Sequence, residues 1–277
     1  MSTLKKQQHF VWKHYLKPWT RNDKICCSGH GSKFCTSLDN IAQGRFFYKS
    51  EPLNSEEFEF IKSFIGHLHP SAQTSQFELL KMYCTTYHYD DYLKKCGIED
   101  FHNIVEEKFK GILAKICEKD LSFLKNDEER GNFSFYIGCQ YTRTNKMREN
   151  LINAPIQIPQ NIDKENIAKV LSLIFSDLIG NWVFSKSKVS LLINNTDSNF
   201  ITGDQPIINT QVEISNQFKQ VPNKMELFFP ITPKLALYLS DDLRGDQFLD
   251  KNEVAVFNEM ILQHSNEQVY SIDMTDI

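Results

Sequence analysis

MELFFPITPKLALYLS, residues 225–240, decides the fold. Two apolar runs flank a Pro-containing turn, and each is too short for a helix and bounded by turn residues, so they read as neighbouring strands. Two more strand-like runs lie upstream, VSLLINN (189–195) and FITGDQPIINT (200–210). Before them NIDKENIAKVLSLIFSDLIGNW (161–182) is apolar at helical spacing, with Asn161 or Asp163 placed to cap it. Downstream, DKNEVAVFNEMILQHSN (250–266) returns to a helix ahead of a short QVYSID strand (268–273).

At the other end KICCSGHGSKFCTS (24–37) is a hairpin about Gly29-His30-Gly31. The stretch between is helical. Ser55 with Glu56 and Glu57 opens a helix carrying Phe58, Ile61 and Ile65 and ending at Gly66, and Phe77 to Tyr83 suggest a second. A third runs from Ile98 and is expected to end near Leu124, in the polar run KNDEERGN. The chain is therefore expected to be a single α+β domain over 1–277, with an N-terminal segment (1–54), a helical region (55–182) and a strand-rich region (183–277). Its mixed or antiparallel sheet would join the hairpin to the strands from Val189 to Leu239, against a mostly helical middle.

Composition supports a folded chain. Of 277 residues 41% are apolar, with 21 Phe, and no stretch approaches twenty uncharged apolar residues. The N-terminus lacks the apolar run of a signal peptide, so a cytoplasmic protein with no membrane partner is expected. Seven Cys, an odd number, argue against a disulfide framework and for a reducing compartment. The net charge of -4 gives no global attraction to nucleic acid, yet residues 1–24 hold Lys5, Lys6, Lys13, Lys17, Arg21 and Lys24 against Asp23, a local basic surface.

Several words in order, QHFVWKHYLKPW (8–19), SLDNIAQGRFFYKS (37–50), GCQYTRT (138–144), FITGDQPIIN (200–209), ELFFPITPKLALYLS (226–240) and VFNEMILQHSNEQVYS (256–271), resemble the DUF4238 family of microbial proteins. Trp12 stands where the opening motif usually has Pro, and Gln205 where the Asp-x-Pro turn usually has Asn. Some members look like components of bacterial defence or toxin systems, and the resemblance implies such a setting here.

The polar residues embedded in apolar or family-like contexts are His9, Glu107, Gln140, Arg143 and Asp204. Gln140 and Arg143, three apart, fall on neighbouring positions of a helix leaving the core, and Arg offers a bidentate fork to phosphate or carboxylate. Asp204 follows an apolar strand, at a loop position suited to function or to an Asx turn. A structural pair of Arg143 with Asp204 or Glu107 is the plainer alternative. The chemistry expected from the set is phosphodiester hydrolysis of RNA or DNA. Glu107 and Asp204 would be ligands to Mg or Mn, His9 base or ligand, Arg143 the phosphate clamp, Gln140 a positioning amide, and Lys13 and Lys17 guides for the polymer. The alternative is a non-catalytic sensor or partner-binding module of a defence complex. Cys26, Cys27, His30 and Cys35 have poor spacing for zinc, since adjacent Cys on a strand face opposite sides. Cys139, within FYIGC, reads as a small buried hydrophobe rather than a nucleophile.

Overall fold

The computed structural model describes residues 4–29, 31–154, 158–211 and 224–277. The 225–240 run forms strands β8 (Leu227–Thr232) and β9 (Leu235–Ser240), paired antiparallel. They lie inside a five-stranded sheet in the order β10-β5-β9-β8-β7, where β5 is Lys188–Asn194, β7 Ile208–Asn209 and β10 Gln247–Leu249. Pro230 is tolerated in an inner strand because β7 pairs only with Leu227 and Phe228 and stops short of it.

The hairpin joins the C-terminal strands as expected, but the strands divide between two sheets instead of sharing one. β2 (Ile25–Gly29) and β3 (Ser32–Thr36) make a four-stranded sheet, in the order β3-β2-β11-β6, with β11 (Gln268–Ser271) and β6 (Thr202–Gly203). A separate ribbon pairs β1 (Gln7–His9) with β4 (Gln43–Arg45).

The N-terminus is pinned rather than frayed. Just after β1, the one-turn helix α1 (Lys13–Leu16) buries Tyr15 and Leu16. The Tyr15 hydroxyl meets Thr202 Oγ1 at 2.7 Å and donates to the Pro230 carbonyl at 2.6 Å, tying the first residues to both larger sheets. Phe10, Val11 and Trp19 are buried beside it.

The helical middle is α2 (Ser55–Gly66), α3 (Pro70–Thr85), α4 (Asp91–Cys117), α5 (Asp127–Thr142), α6 (Asn145–Ile152) and α7 (Lys164–Ser185), and α8 (Lys251–His264) follows the strands. Two boundaries differ from the sequence reading, and of the two caps it offered for α7 the second is used. Asn54, not Ser55, caps α2, in a capping box with Glu57. The third helix stops at Cys117, and the polar run 125–132 opens α5, because Asn126 accepts from Glu129 N and three acidic residues favour a helix start. Asp163 caps α7.

α7 is long and apolar enough to cross a membrane by length and composition, but in this fold it is a core helix, with Ile167, Val170, Leu171, Ile174 and Val183 buried. It packs on α5 at close range: a Cβ on Gly138 would collide with the Ser176 carbonyl oxygen.

Candidate functional site

One face of α4 carries Glu99, His102 and Glu106, at i, i+3 and i+7, all turned inward. They surround Arg143, the C-cap of α5, whose side chain is almost wholly buried. Its Nη2 lies 2.7 Å from Glu106 Oε1 and donates at 2.5 Å to Gln140 Oε1, while Gln140 Nε2 donates at 3.0 Å to the Phe10 carbonyl. Sequence spacing correctly joined Gln140 to Arg143. It placed them at an emerging edge, however, and both are in the interior, against Glu106 of α4 and the Phe10 carbonyl of the N-terminal segment.

Burial and fields set the protonation of this centre. Burial opposes the Arg143 charge, but the Glu106 carboxylate at 2.7 Å holds it charged. Burial pushes Glu99 up to about 7 against the pull of Arg143, with the Glu106 charge adding to the rise. It also raises Glu106, which Arg143 opposes. His102 is driven well below its ordinary value by burial and then by Arg143, so its imidazole is neutral. His102 Nδ1 and Arg143 Nε are buried without a hydrogen-bond partner.

A small cavity of about 20 Å³ opens beside this centre, lined by Tyr48, His102, Arg143, Arg148, Lys169 and Leu173 among others. Arg148 lies over the Phe47 ring, 4.0 Å from its centroid, and donates to the Phe47 carbonyl at 3.1 Å. Lys169 donates to the Lys49 carbonyl at 3.0 Å. Desolvation lowers both cations from their ordinary values, and for Lys169 the neighbouring Arg148 charge adds to the effect.

The other expected site residues are elsewhere. Glu107 is exposed, with Lys110 at 3.5 Å, and the inward carboxylate is Glu106, a one-residue difference in helical phase. Asp204 is buried and accepts from the backbone N–H groups of Asn266 (2.8 Å), Glu267 (2.8 Å) and Gln268 (3.0 Å), bracing the α8-to-β11 connection. Neither of the two expected partners for Arg143 is the one it takes. The structure also gives the two expected metal ligands separate partners, and no group of three or more His, Cys, Asp or Glu that could hold a metal occurs among the described residues. Lys13 is ion-paired with Asp39 at 2.8 Å, and Lys17 is exposed. His9 sits on β1 with an unpartnered Nδ1; burial and then Lys13 take it down to about 4, and Arg143 adds a smaller push in the same direction. Gln205 proves structural: it accepts from Thr144 Oγ1 and donates to the Tyr141 carbonyl at 3.1 Å, latching the Asp-x-Pro turn to the end of α5.

Cys26 and Cys35, directly opposite in the hairpin register, form a disulfide. This corrects the expectation of thiols throughout, while Cys27, Cys84, Cys96, Cys117 and Cys139 are free. His30 of the zinc candidate lies outside the described residues. The Cys139 thiol is buried and pushed up to about 12 by desolvation, as befits a core residue.

Sequence reading missed Glu99, His102, Glu106, Arg148 and Lys169. The 99/102/106 spacing was a usable signal, since three polar residues share one face of a long helix. Arg148 and Lys169 come from different helices and carried none.

Fold and centre together define an α+β protein with two larger sheets and a buried charged centre around Arg143. The chain belongs to the DUF4238 family, described as a protein of unknown function, whose model matches residues 7–275. No curated protein and no solved structure matches it.

Proposed function

We propose that this protein is a binding module for a phosphate-bearing ligand, with the cavity between α4, the α5–α6 junction and α7 as its site. One observation carries the reading: Arg143, Arg148 and Lys169 line the same cavity, yet among the described residues only Arg143 has a carboxylate within ion-pair distance. Partly buried cations held by neutral carbonyls are costly unless an anion shares the site, and Arg and Lys are the donors suited to phosphate oxygens. In this reading the ligand is a nucleotide or nucleic-acid phosphate, and the module is the cytoplasmic sensor of a defence complex with a protein partner. The test is calorimetric titration of inorganic phosphate into wild type, Arg148→Met and Lys169→Met. Each substitution should weaken binding about tenfold or more, one charge-assisted contact. Unchanged affinity in both would refute the site.

Phosphodiester hydrolysis of RNA or DNA is the second reading, and His9 favours it. Its imidazole is neutral with an unpartnered nitrogen and lies within electrostatic reach of Arg143, so it is free to accept a proton, as a weak base given its value near 4. Incubation with RNA and DNA, with and without Mg²⁺ or Mn²⁺, should then show cleavage that His9→Ala abolishes. Cleavage unaffected by that change would remove His9 from the chemistry.

A further inference from the structure

Charge and size at the cavity narrow the ligand. Arg143 is already matched by Glu106 at 2.7 Å, which leaves Arg148 and Lys169 as two cations without a direct carboxylate partner. The carboxylates of Glu165, Glu51 and Asp163 act on Lys169 only at a distance, and of these Glu165 also acts on Arg148. Glu51 is itself engaged by Lys49 at 2.5 Å and Lys94 at 2.8 Å. The cavity of about 20 Å³ admits little more than one oxygen atom of a ligand, so the rest of the charged group must sit at its opening. Tyr48, Ile98 and Leu173 add aromatic and aliphatic surface to its lining.

We infer that the site takes a phosphate monoester, a terminal dianionic phosphoryl group such as the 5′-phosphate of a nucleotide or oligonucleotide, in preference to an internal phosphodiester. This rests on the phosphate-binding reading above. A monoester near neutral pH carries close to two charges and three free oxygens, matching two unpaired cations. A diester carries only one charge, half of what the two cations can match. His102, neutral with an unpartnered Nδ1, and Arg143, with an unpartnered Nε, also line this cavity and add polar groups to it.

The experiment titrates the full chain at about pH 7.5, where the monoester is largely dianionic, with methyl phosphate and dimethyl phosphate. A second set compares a nucleoside 5′-monophosphate, phosphoserine and inorganic phosphate, and a third compares a short oligonucleotide with and without its 5′-phosphate. The expected result is methyl phosphate bound at least about tenfold tighter than dimethyl phosphate. The nucleoside monophosphate should be preferred to phosphoserine, and the 5′-phosphorylated oligonucleotide to the 5′-hydroxyl one. Lys169→Met should abolish the monoester preference with unchanged circular dichroism, and Lys169→Arg should restore it. Equal affinity for mono- and diester overturns the inference while phosphate binding stands. A preference for phosphoserine overturns the nucleotide source. Failure of every probe overturns both this inference and the reading beneath it.

Discussion

Replacing Asp204 by Ala removes one buried carboxylate and leaves three backbone N–H groups, those of Asn266, Glu267 and Gln268, without their acceptor. Hydrogen bonds to a charged group contribute roughly 1.5–3 kcal/mol each. These three are only partly buried, so water recovers part of that, and the removed carboxylate no longer has to be desolvated. The net loss works out at about 4 kcal/mol, a large share of the roughly 5–15 kcal/mol that holds a domain together. At about 2–4 °C per kcal/mol for a chain of this order, the melting temperature should fall by roughly 10 °C. Asp204→Asn, which keeps one acceptor oxygen, should cost about half as much. Urea unfolding of the three proteins, with circular dichroism and Trp fluorescence followed together, measures the differences directly. An Ala variant within about 1 kcal/mol of wild type would refute the bracing role and return Asp204 to the pool of catalytic candidates.

Gly138→Ala should destabilise by about 1–3 kcal/mol or more, because the new methyl group meets the Ser176 backbone across the α5–α7 contact, whereas Gly111→Ala, on open helix surface, should stabilise by up to about 1 kcal/mol in the same assay. For Glu99, whose folded value of about 7 lies above the ordinary 4.5, the folded state holds the proton longer than the unfolded state. Its contribution to stability is therefore intact below about pH 4.5 and is lost as pH rises through about 7, so Glu99→Gln should be neutral at pH 4 and stabilising by about 3 kcal/mol at pH 8. Denaturant midpoints that move in parallel at both pH values would contradict this. His9 should titrate near 4 by NMR, and because its value is lowered, its contribution rises as pH climbs from about 4 to its ordinary 6.5, opposite in sign to Glu99. A midpoint at the ordinary value would mean the ring is solvated.

Sequence alone settled the elements whose periodicity is local. Strands β5, β8 and β9, the 24–37 hairpin and helix α7 all follow from apolar spacing and turn residues. The Gln140–Arg143 contact was legible for the same reason, since three residues along a helix fix adjacency before any packing is known. The 225–240 run showed two strands but not their sheet partners. Division of the strands into two sheets depends on β11 slotting between β2 and β6, a pairing across more than half the chain that no local pattern encodes.

Tertiary structure decided which charges face inward. Glu106 and Glu107 differ by about 100° around α4, and only the packing of α5 against that helix selects the first. Asp204 looked like a residue at a functional turn until its acceptors' partners, three N–H groups some sixty residues further on, came into view. The cationic cavity lay entirely outside local reading, because Arg143, Arg148 and Lys169 meet only where the end of α5, α6 and the side of α7 converge. Apolar patterns repeat along the chain and announce themselves. A polar site is a convergence of single residues whose energies depend on burial and on one another's fields, and both quantities exist only once the chain has folded.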